Sequence, residues 1–111
     1  MDIENSKAQM RKGILEYCIL SALAEKDAYA SDLIEKLKEA RLIIVEGTLY
    51  PLLTRLKNDA LLNYRWEESK SGPPRKYYAI TDTGREFLSE LNESWKELVD
   101  SVNKITKINN N

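Results

Sequence analysis

The stretch EGTLYPLLTRL, residues 46–56, decides the fold of this chain. Its leucines recur three or four residues apart, the period of a helix with one buried face: Leu49, Leu52, Leu53 and Leu56. This helix is expected to begin near Glu46, because a carboxylate is favoured at the positive end of the helix dipole. Pro51 would cost a helix interior about 3 kcal/mol, but the leucine stripe continues in phase across it. The sequence therefore predicts one helix that contains the proline.

The face of this predicted helix opposite the leucines is small, hydroxyl-bearing or basic. It carries Gly47, Thr54 and Arg55 and is flanked by Thr48 and Tyr50, and beyond its first residue the helix contains no acid. Small and hydroxyl side chains allow a close approach to DNA, and an arginine can bond to phosphate or to a guanine edge. A solvated helix face beside a leucine core would explain the same residues. Both interpretations stay open at this point.

Helices are also predicted before this segment. Apolar residues at helical spacing predict a first helix over residues 8–25, which Gly13 weakens locally by up to roughly 1 kcal/mol relative to alanine. A second helix is predicted over about residues 30–40, with leucines and an isoleucine on one face. Together with the helix of residues 46–56, these segments have the order of a helix-turn-helix unit.

A β-hairpin is predicted after the helices. Residues 62–68 alternate with a period of two, which places Leu62, Tyr64 and Trp66 on one strand face, and residues 76–81 supply a second strand. The segment between the strands contains turn-forming residues, so a loop of about seven residues is expected. Trp66 is predicted to belong to the core.

The predicted hairpin loop is stiff and basic. Pro73 and Pro74 restrict φ at its tip, and Lys70, Arg75 and Lys76 add three cations without an acid among them. Such a wing would contact DNA phosphates or enter the minor groove. A rigid turn with incidental charge is the alternative interpretation.

The last helix is predicted to run from Asp82 to about Ile108. Its apolar positions alternate at spacings of three and four, the signature of a coiled-coil seam: Leu88, Leu91, Trp95, Leu98, Val102 and Ile105. A helix this long extends beyond what so small a core can cover, so the stripe is expected to meet a second chain. We expect residues 1–81 to form a winged helix-turn-helix DNA-binding domain and residues 82–111 a dimerisation helix with a frayed tail.

The composition excludes most enzyme classes. The chain has no histidine, which excludes Ser-His and Cys-His nucleophilic sites and histidine-ligated metals. Its single cysteine, Cys18, cannot form an internal disulfide and fits a reducing compartment. Glycine-rich phosphate-binding motifs are absent from the sequence. We therefore expect a protein that is not an enzyme and that uses no cofactor and no metal.

Length and charge favour one small cytoplasmic protein. The 111 residues are 42% hydrophobic, enough for a modest core. The net charge of -1 provides no overall attraction to a polyanion, so any DNA binding must come from local clusters. The sequence contains no apolar run long enough to cross a bilayer and no secretory signal, which favours the cytoplasm over a membrane.

The segments EGTLYPLLTRL and SGPPRKYYAITDTG together resemble the signature of PadR-family transcriptional regulators, and the likeness covers nearly the whole chain. The resemblance implies a mainly α-helical, dimeric winged-helix repressor that binds a pseudo-palindromic operator in double-stranded DNA. It would place Thr48, Tyr50, Thr54 and Arg55 on the recognition helix. The chain departs from the family pattern at Val45, where a capping residue is common, and at Ala28, Ala30 and Ala60, where glycine is frequent.

The short ending resembles the compact, multidrug-responsive branch of the same family. In that branch a tryptophan pair at the dimer centre sandwiches planar aromatic compounds, a role that would fall to Trp95 here. A seam anchor that only buries area is the alternative for this residue. For the protein as a whole, the alternative to a DNA-binding regulator is a winged-helix module that binds other proteins and not DNA.

Overall fold

Helices form most of the chain, and a small antiparallel sheet lies beside them. The computed structural model describes residues 2–107. In chain order the elements are α1 (Ile3–Lys12), α2 (Leu15–Glu25), β1 (Ala28–Tyr29), α3 (Ala30–Glu39), α4 (Glu46–Asn58), β2 (Leu62–Ser69), β3 (Gly72–Ile80) and α5 (Asp82–Thr106).

The core lies where α2, α3 and α4 meet the sheet and the beginning of α5. Its largest fully buried side chains are all aliphatic: Ile19, Leu20, Leu23, Leu33, Leu49, Leu53, Leu56 and Leu62. Burying one such side chain contributes roughly 1.5–3 kcal/mol, so the leucine stripe of α4 is a main source of stability. Because that stripe offsets the cost of Pro51, α4 runs through the proline as predicted.

The N-terminal region differs from the single helix predicted over residues 8–25. Two helices, α1 and α2, meet at Gly13 and Ile14, and α1 begins before residue 8. Glycine lowers helix propensity, and the N–H groups of both junction residues bond to the carbonyl of Arg11, which closes a tight turn at the end of α1. The expected local weakness at Gly13 is therefore a complete break.

The hairpin is longer and its loop shorter than predicted. β2 and β3 pair up to Ser69 opposite Gly72, which leaves only Lys70 and Ser71 between the strands. The expected loop of seven residues is wrong, because the prolines 73–74 lie in β3 and not at the tip. Proline is tolerated there because the pairing is irregular near the turn and β1 does not reach this end of β3.

A third strand, β1, completes the sheet in the order β1-β3-β2. It consists of Ala28 opposite Tyr78 and Tyr29 opposite Tyr77. This strand was not predicted, since two residues are too few to show an alternating pattern. The strand matters for the wing, because it holds Tyr29 beside the β3 chain.

Trp66 lies outside the core, contrary to the prediction. Leu62 is buried, Tyr64 is half-buried and Trp66 is 61% exposed, although alternation places all three on one face of β2. The strand runs past the edge of the helical layer, so the same face passes from the core into solvent. Period-two alternation identifies the face of a strand but not how far the covering layer extends.

The start of α5 is locked to the start of the hairpin. Thr81 caps the helix: its hydroxyl accepts a hydrogen bond from the N–H of Gly84 at 2.9 Å and donates one to the carbonyl of Ala60 at 2.7 Å. A Cβ at Gly84 would lie 2.0 Å from the carbonyl oxygen of Leu61, so only glycine fits. This contact fixes the direction in which α5 leaves the sheet.

α5 begins at Asp82, as predicted, and runs to Thr106. The predicted helix end at Ile108 and the frayed tail to residue 111 lie outside the described residues. Within residues 2–107, no helix combines the length and the apolar character that a membrane crossing requires.

Candidate nucleic-acid interface

The side chains on the outer face of α4 do not pack into the core. Leu49, Leu53 and Leu56 point into the core and Leu52 is half-buried. All the residues predicted for the outer face are exposed: Gly47, Thr48, Tyr50, Thr54 and Arg55. The structure thus brings the candidate recognition residues onto one accessible helix face.

Gly47 has no structural reason to be glycine. A Cβ added there would meet no atom within 4 Å, and the residue does not have a positive φ. Val45, at the position before the helix, contributes no side-chain cap, in keeping with the departure noted in the sequence. The first turn of α4 is therefore bare on its outside and allows a close approach of another molecule.

Arg55, on this face, forms an ion pair with an acid of another helix. Its Nε donates to a carboxylate oxygen of Glu16 in α2 at 3.2 Å, and its Nη2 donates to the other oxygen. The side chain of Arg55 is 61% exposed and that of Glu16 is 28% exposed, so solvent screens the pair in part. The exposed arginine was predicted from the sequence, but its partner, which lies 39 positions away, was not.

The wing cations Arg75 and Lys76 are held against aromatic rings. The guanidinium of Arg75 lies 4.0 Å from the ring centroid of Tyr29 and donates to the hydroxyl of Ser31 at 2.7 Å. The ammonium group of Lys76 lies 4.6 Å from the ring of Tyr64 and 5.6 Å from that of Trp66. Cation–π contacts of this kind orient a charge without neutralising it.

The other cations of the hairpin differ in whether an acid neutralises them. Lys70 is exposed in the two-residue turn. Arg65, on β2, donates to Glu67 at 2.7 Å and to Asp27 at 3.3 Å. These hydrogen bonds, that with Glu67 first, raise the pKa of Arg65. Arg65 is therefore already neutralised by acids, whereas Lys70, Arg75 and Lys76 are not paired with any acid in residues 2–107.

A groove of about 350 Å³ joins the wing to α4. Glu46 and Tyr50 of α4 form one side, and Trp66, Arg75 and Lys76 of the hairpin form the other. The first turn of α3 and the buried ring of Tyr78 complete the lining. Burial raises the pKa of Tyr78, and the neighbouring Tyr50 and Tyr64 add to the shift. The wing and α4 thus border a common surface.

Three contributors to this surface were missed from the sequence: Tyr29, Ser31 and Trp66. Tyr29 and Ser31 lie before the predicted second helix and at its start, and nothing in the sequence indicates their contacts with Arg75. Trp66 was recognised as part of a strand but assigned to the core. The sequence contains no signal for the exposure of Trp66, because its burial depends on where the covering helices end.

A second exposed surface lies along α5. Of the stripe predicted to contact another chain, Leu88 is buried in the core of its own chain and Leu91 packs against that core. The remaining four are exposed, by 39% at Trp95, 53% at Leu98, 47% at Val102 and 83% at Ile105. The stripe therefore divides: its first two positions stabilise the chain itself, and the last four are uncovered.

An apolar groove of about 430 Å³ runs between this part of α5 and α1. Met10 and Ile14 line it on one side, and Trp95, Leu98 and Val102 on the other. The lining of this groove is more apolar than that of the groove between the wing and α4, and Met10 is 81% exposed. Such a surface is costly in water and favours association.

α2 connects the two surfaces. The hydroxyl of Tyr17 donates to the side-chain carbonyl of Asn92 at 2.6 Å, and its ring centroid lies 6.2 Å from that of Trp95. The preceding residue, Glu16, holds Arg55 of α4. Adjacent residues of one helix therefore contact α5 and α4.

Comparison with known proteins places these surfaces in context. The model of the PadR-like transcriptional regulator family matches residues 19–90. A PadR-like transcription factor from Bacteroides fragilis is 68% identical, with 91% of this chain and 98% of that chain covered and a TM-score of 0.77. A PadR family transcriptional regulator from Eggerthella lenta DSM 2243 is 36% identical, with 96% and 94% covered and a TM-score of 0.86.

A transcriptional regulator from Mycobacterium tuberculosis is 29% identical over 94 residues, which covers 85% of this chain and 87% of that protein. The similarities extend over the hairpin, the helix-turn-helix unit and most of the terminal helix, and they confirm the expected winged-helix fold. Their common role is the regulation of transcription and not catalysis. This chain belongs to the PadR-like family of transcriptional regulators.

Proposed function

We propose that two copies of this chain associate through α5 and bind double-stranded DNA with their paired recognition helices and wings. Two α4 helices would enter the major groove at half-sites about one helical turn apart, which requires a pseudo-palindromic operator. The wings would contact the flanking backbone. A protein with this function works where the DNA is, in line with the cytoplasmic location expected from the sequence.

The single observation that carries the DNA-binding proposal is the groove shared by α4 and the wing. It brings the exposed face of α4 next to Arg75 and Lys76. Neither of these two residues is paired with an acid in the described chain. DNA affinity depends largely on such local cations, because each phosphate contact releases condensed counterions. Local clustering therefore compensates for a net charge of -1.

The four exposed apolar positions of α5 support association of two chains. They continue the three-and-four spacing of a coiled-coil seam along the helix beyond the core. Trp95, the first of these four positions, presents a broad apolar face and packs only obliquely, at 44°, against Tyr17. A second chain would remove these side chains from water.

We further propose that the protein is a repressor and that a planar aromatic compound relieves operator binding by inserting beside Trp95. The support is the apolar groove between α1 and α5, with Trp95 as one wall. Such a compound would quench the fluorescence of Trp95 and weaken DNA binding. A Trp95→Ala variant that remains dimeric should lose both responses; if the responses persist in it, the effector binds elsewhere.

The experiment that tests the core of this proposal combines two measurements on the unmodified protein. Sedimentation equilibrium at micromolar concentration should give twice the chain mass of 12.8 kDa. Fluorescence anisotropy with a labelled duplex should give binding whose affinity falls steeply as salt is raised. A strictly monomeric protein would contradict the dimer. A dimer without salt-sensitive retention on duplex DNA would instead favour the protein-interaction module.

A further inference from the structure

The exposed indole of Trp66 lacks a structural explanation. The side chain is 61% exposed, and in the described part of the chain its aromatic neighbour is the ring of Tyr64, edge-on at 5.8 Å. Large aromatic side chains contribute most to a fold when buried, so this one adds little to stability. An exposed aromatic ring beside a cation is, however, a common arrangement for contact with nucleic acid.

The position of Trp66 is defined by its strand partner. Trp66 pairs with Lys76 across β2 and β3, and the lysine ammonium lies 5.6 Å from the indole ring. Lys76 is half-buried and is also held by the ring of Tyr64, so the charge and the indole are fixed relative to each other. The hairpin therefore presents an apolar plate and a positive charge as one unit.

The same unit lines the groove between the wing and α4. Tyr50, 46% exposed, stands on the α4 side, and Arg75 extends across the floor to Ser31 at the start of α3. Glu46 is the acid that lines this groove. Its charge is outnumbered by those of Arg75 and Lys76, which leaves the groove with a positive balance and two exposed aromatic walls.

We propose that this groove receives one sugar–phosphate unit of the DNA backbone, with Trp66 packing against the deoxyribose and Arg75 and Lys76 bonding to the phosphate. The inference rests on the proposed DNA-binding function and adds Trp66 as a contact residue. Charge complementarity selects the occupant: a polyanion with apolar sugar faces matches cations set between aromatic walls. Because the contact is to the backbone, it does not depend on the base sequence.

The first test uses a mixed-sequence duplex of about 30 base pairs, long enough for two half-sites one turn apart, in anisotropy titrations at low salt. Trp66→Ala should weaken binding about tenfold, a loss typical of an aromatic contact. Trp66→Phe, which keeps an aromatic face, should stay within about threefold of the unmodified protein. Phe87→Ala removes a 40%-exposed aromatic residue outside the groove and should leave the affinity unchanged.

A stability measurement distinguishes the loss of a DNA contact from a folding defect. Since Trp66 is largely exposed, Trp66→Ala should unfold within a few degrees of the unmodified protein. If Trp66→Ala binds the duplex as tightly as the Phe87→Ala control, the inference is overturned. If Trp66→Ala unfolds early, the comparison rests on Trp66→Phe and its fluorescence.

The second test uses fluorescence, since the chain contains two tryptophans. The duplex should quench part of the emission of the unmodified protein, and this quenching should disappear in Trp66→Phe. Persistence of the full quenching would overturn the inference, because the signal would then come from Trp95. Equal quenching by a free mononucleotide would also overturn it, since the groove would then be a nucleotide pocket.

These outcomes are distinct from failure of the proposed function. An unmodified protein that does not bind the duplex at all would contradict DNA binding itself and this inference with it. Duplex binding that depends on Arg75 and Lys76 but not on Trp66 would contradict this inference alone.

Discussion

A side chain at Gly47 is expected to have opposite effects on stability and on DNA binding. Its position in α4 has open space where a Cβ would be and an ordinary backbone conformation, so Gly47→Ala should stabilise the chain by up to about 1 kcal/mol. If DNA comes close to the first turn of α4, the added methyl group should nevertheless weaken binding about tenfold, the equivalent of one good contact. Urea unfolding and anisotropy titrations measure the two effects. Unchanged affinity would show that the backbone of Gly47 does not approach DNA.

Ala60 lies in a conformation that disfavours an L-residue. Its φ is 63°, in the left-handed region, directly before the hairpin. Because the penalty in this region is roughly 1 kcal/mol, Ala60→Gly should raise stability by about 0.5–1 kcal/mol. Ala40→Gly is the matched control, since Ala40 directly follows α3 with a φ of -87°. This variant should lose a similar amount of stability, because glycine adds conformational freedom to the unfolded chain. Thermal unfolding measures both, and equal shifts of the same sign would contradict the conformational argument.

At the scale of single residues, the sequence predicted which side chains of α4 are exposed better than it predicted what they touch. Arg55 was identified from its place opposite the leucines, but its bond to Glu16 joins helices far apart in the chain, where no periodicity operates. The departure at Ala60 was noticed, and its left-handed φ explains why glycine is frequent there. Trp66 was misassigned because burial depends on where the helical layer ends.

The wing is the element whose charge can be tested as a unit. Alanine at both Arg75 and Lys76 should weaken DNA binding and reduce the slope of log affinity against log salt by about one to two, since each phosphate contact contributes nearly one. The salt titration of the double variant provides the measurement. Alanine at both Lys96 and Lys104 removes two solvent-exposed cations of α5 and is the charge-matched control. An unchanged slope in the wing variant would refute the wing assignment.

Elements with long periodic stripes were predictable, and short or interrupted ones were not. α4 and α5 have apolar stripes of four and six positions, so the start of each helix and its apolar face were recognised, including the passage of α4 through Pro51. β1 is two residues long and has no period. The α1–α2 break depends on one glycine, and the two-residue hairpin turn depends on pairing across strands. Such features are decided by tertiary contacts and not by local pattern.

The state of assembly is the property of the whole molecule on which the proposed function depends. Leu98→Glu combined with Val102→Glu places two charges on the exposed stripe of α5 while leaving the buried Leu88 intact. Because a charge inside an apolar interface is strongly unfavourable, sedimentation should show monomers, and DNA affinity should fall at least tenfold through loss of the second half-site. Glu97→Gln, on the same helix but off the stripe, should remain like the unmodified protein. If the double variant still sediments as a dimer, the interface lies elsewhere.

The pairing of Glu16 with Arg55 sets up a competition between a carboxylate inside the protein and a phosphate outside it. If Arg55 contacts DNA through the same N–H groups, it must first leave Glu16. Glu16→Gln should therefore tighten duplex binding about two- to fivefold, the range set by a largely solvated ion pair. Anisotropy titration provides the measurement, and an unchanged affinity would mean that Arg55 does not bond to DNA. Since the adjacent Tyr17 donates to Asn92, the turn of α2 that holds Arg55 is also bonded to α5. Under the proposed function, a displacement of α5 would change how firmly Glu16 keeps this arginine away from DNA.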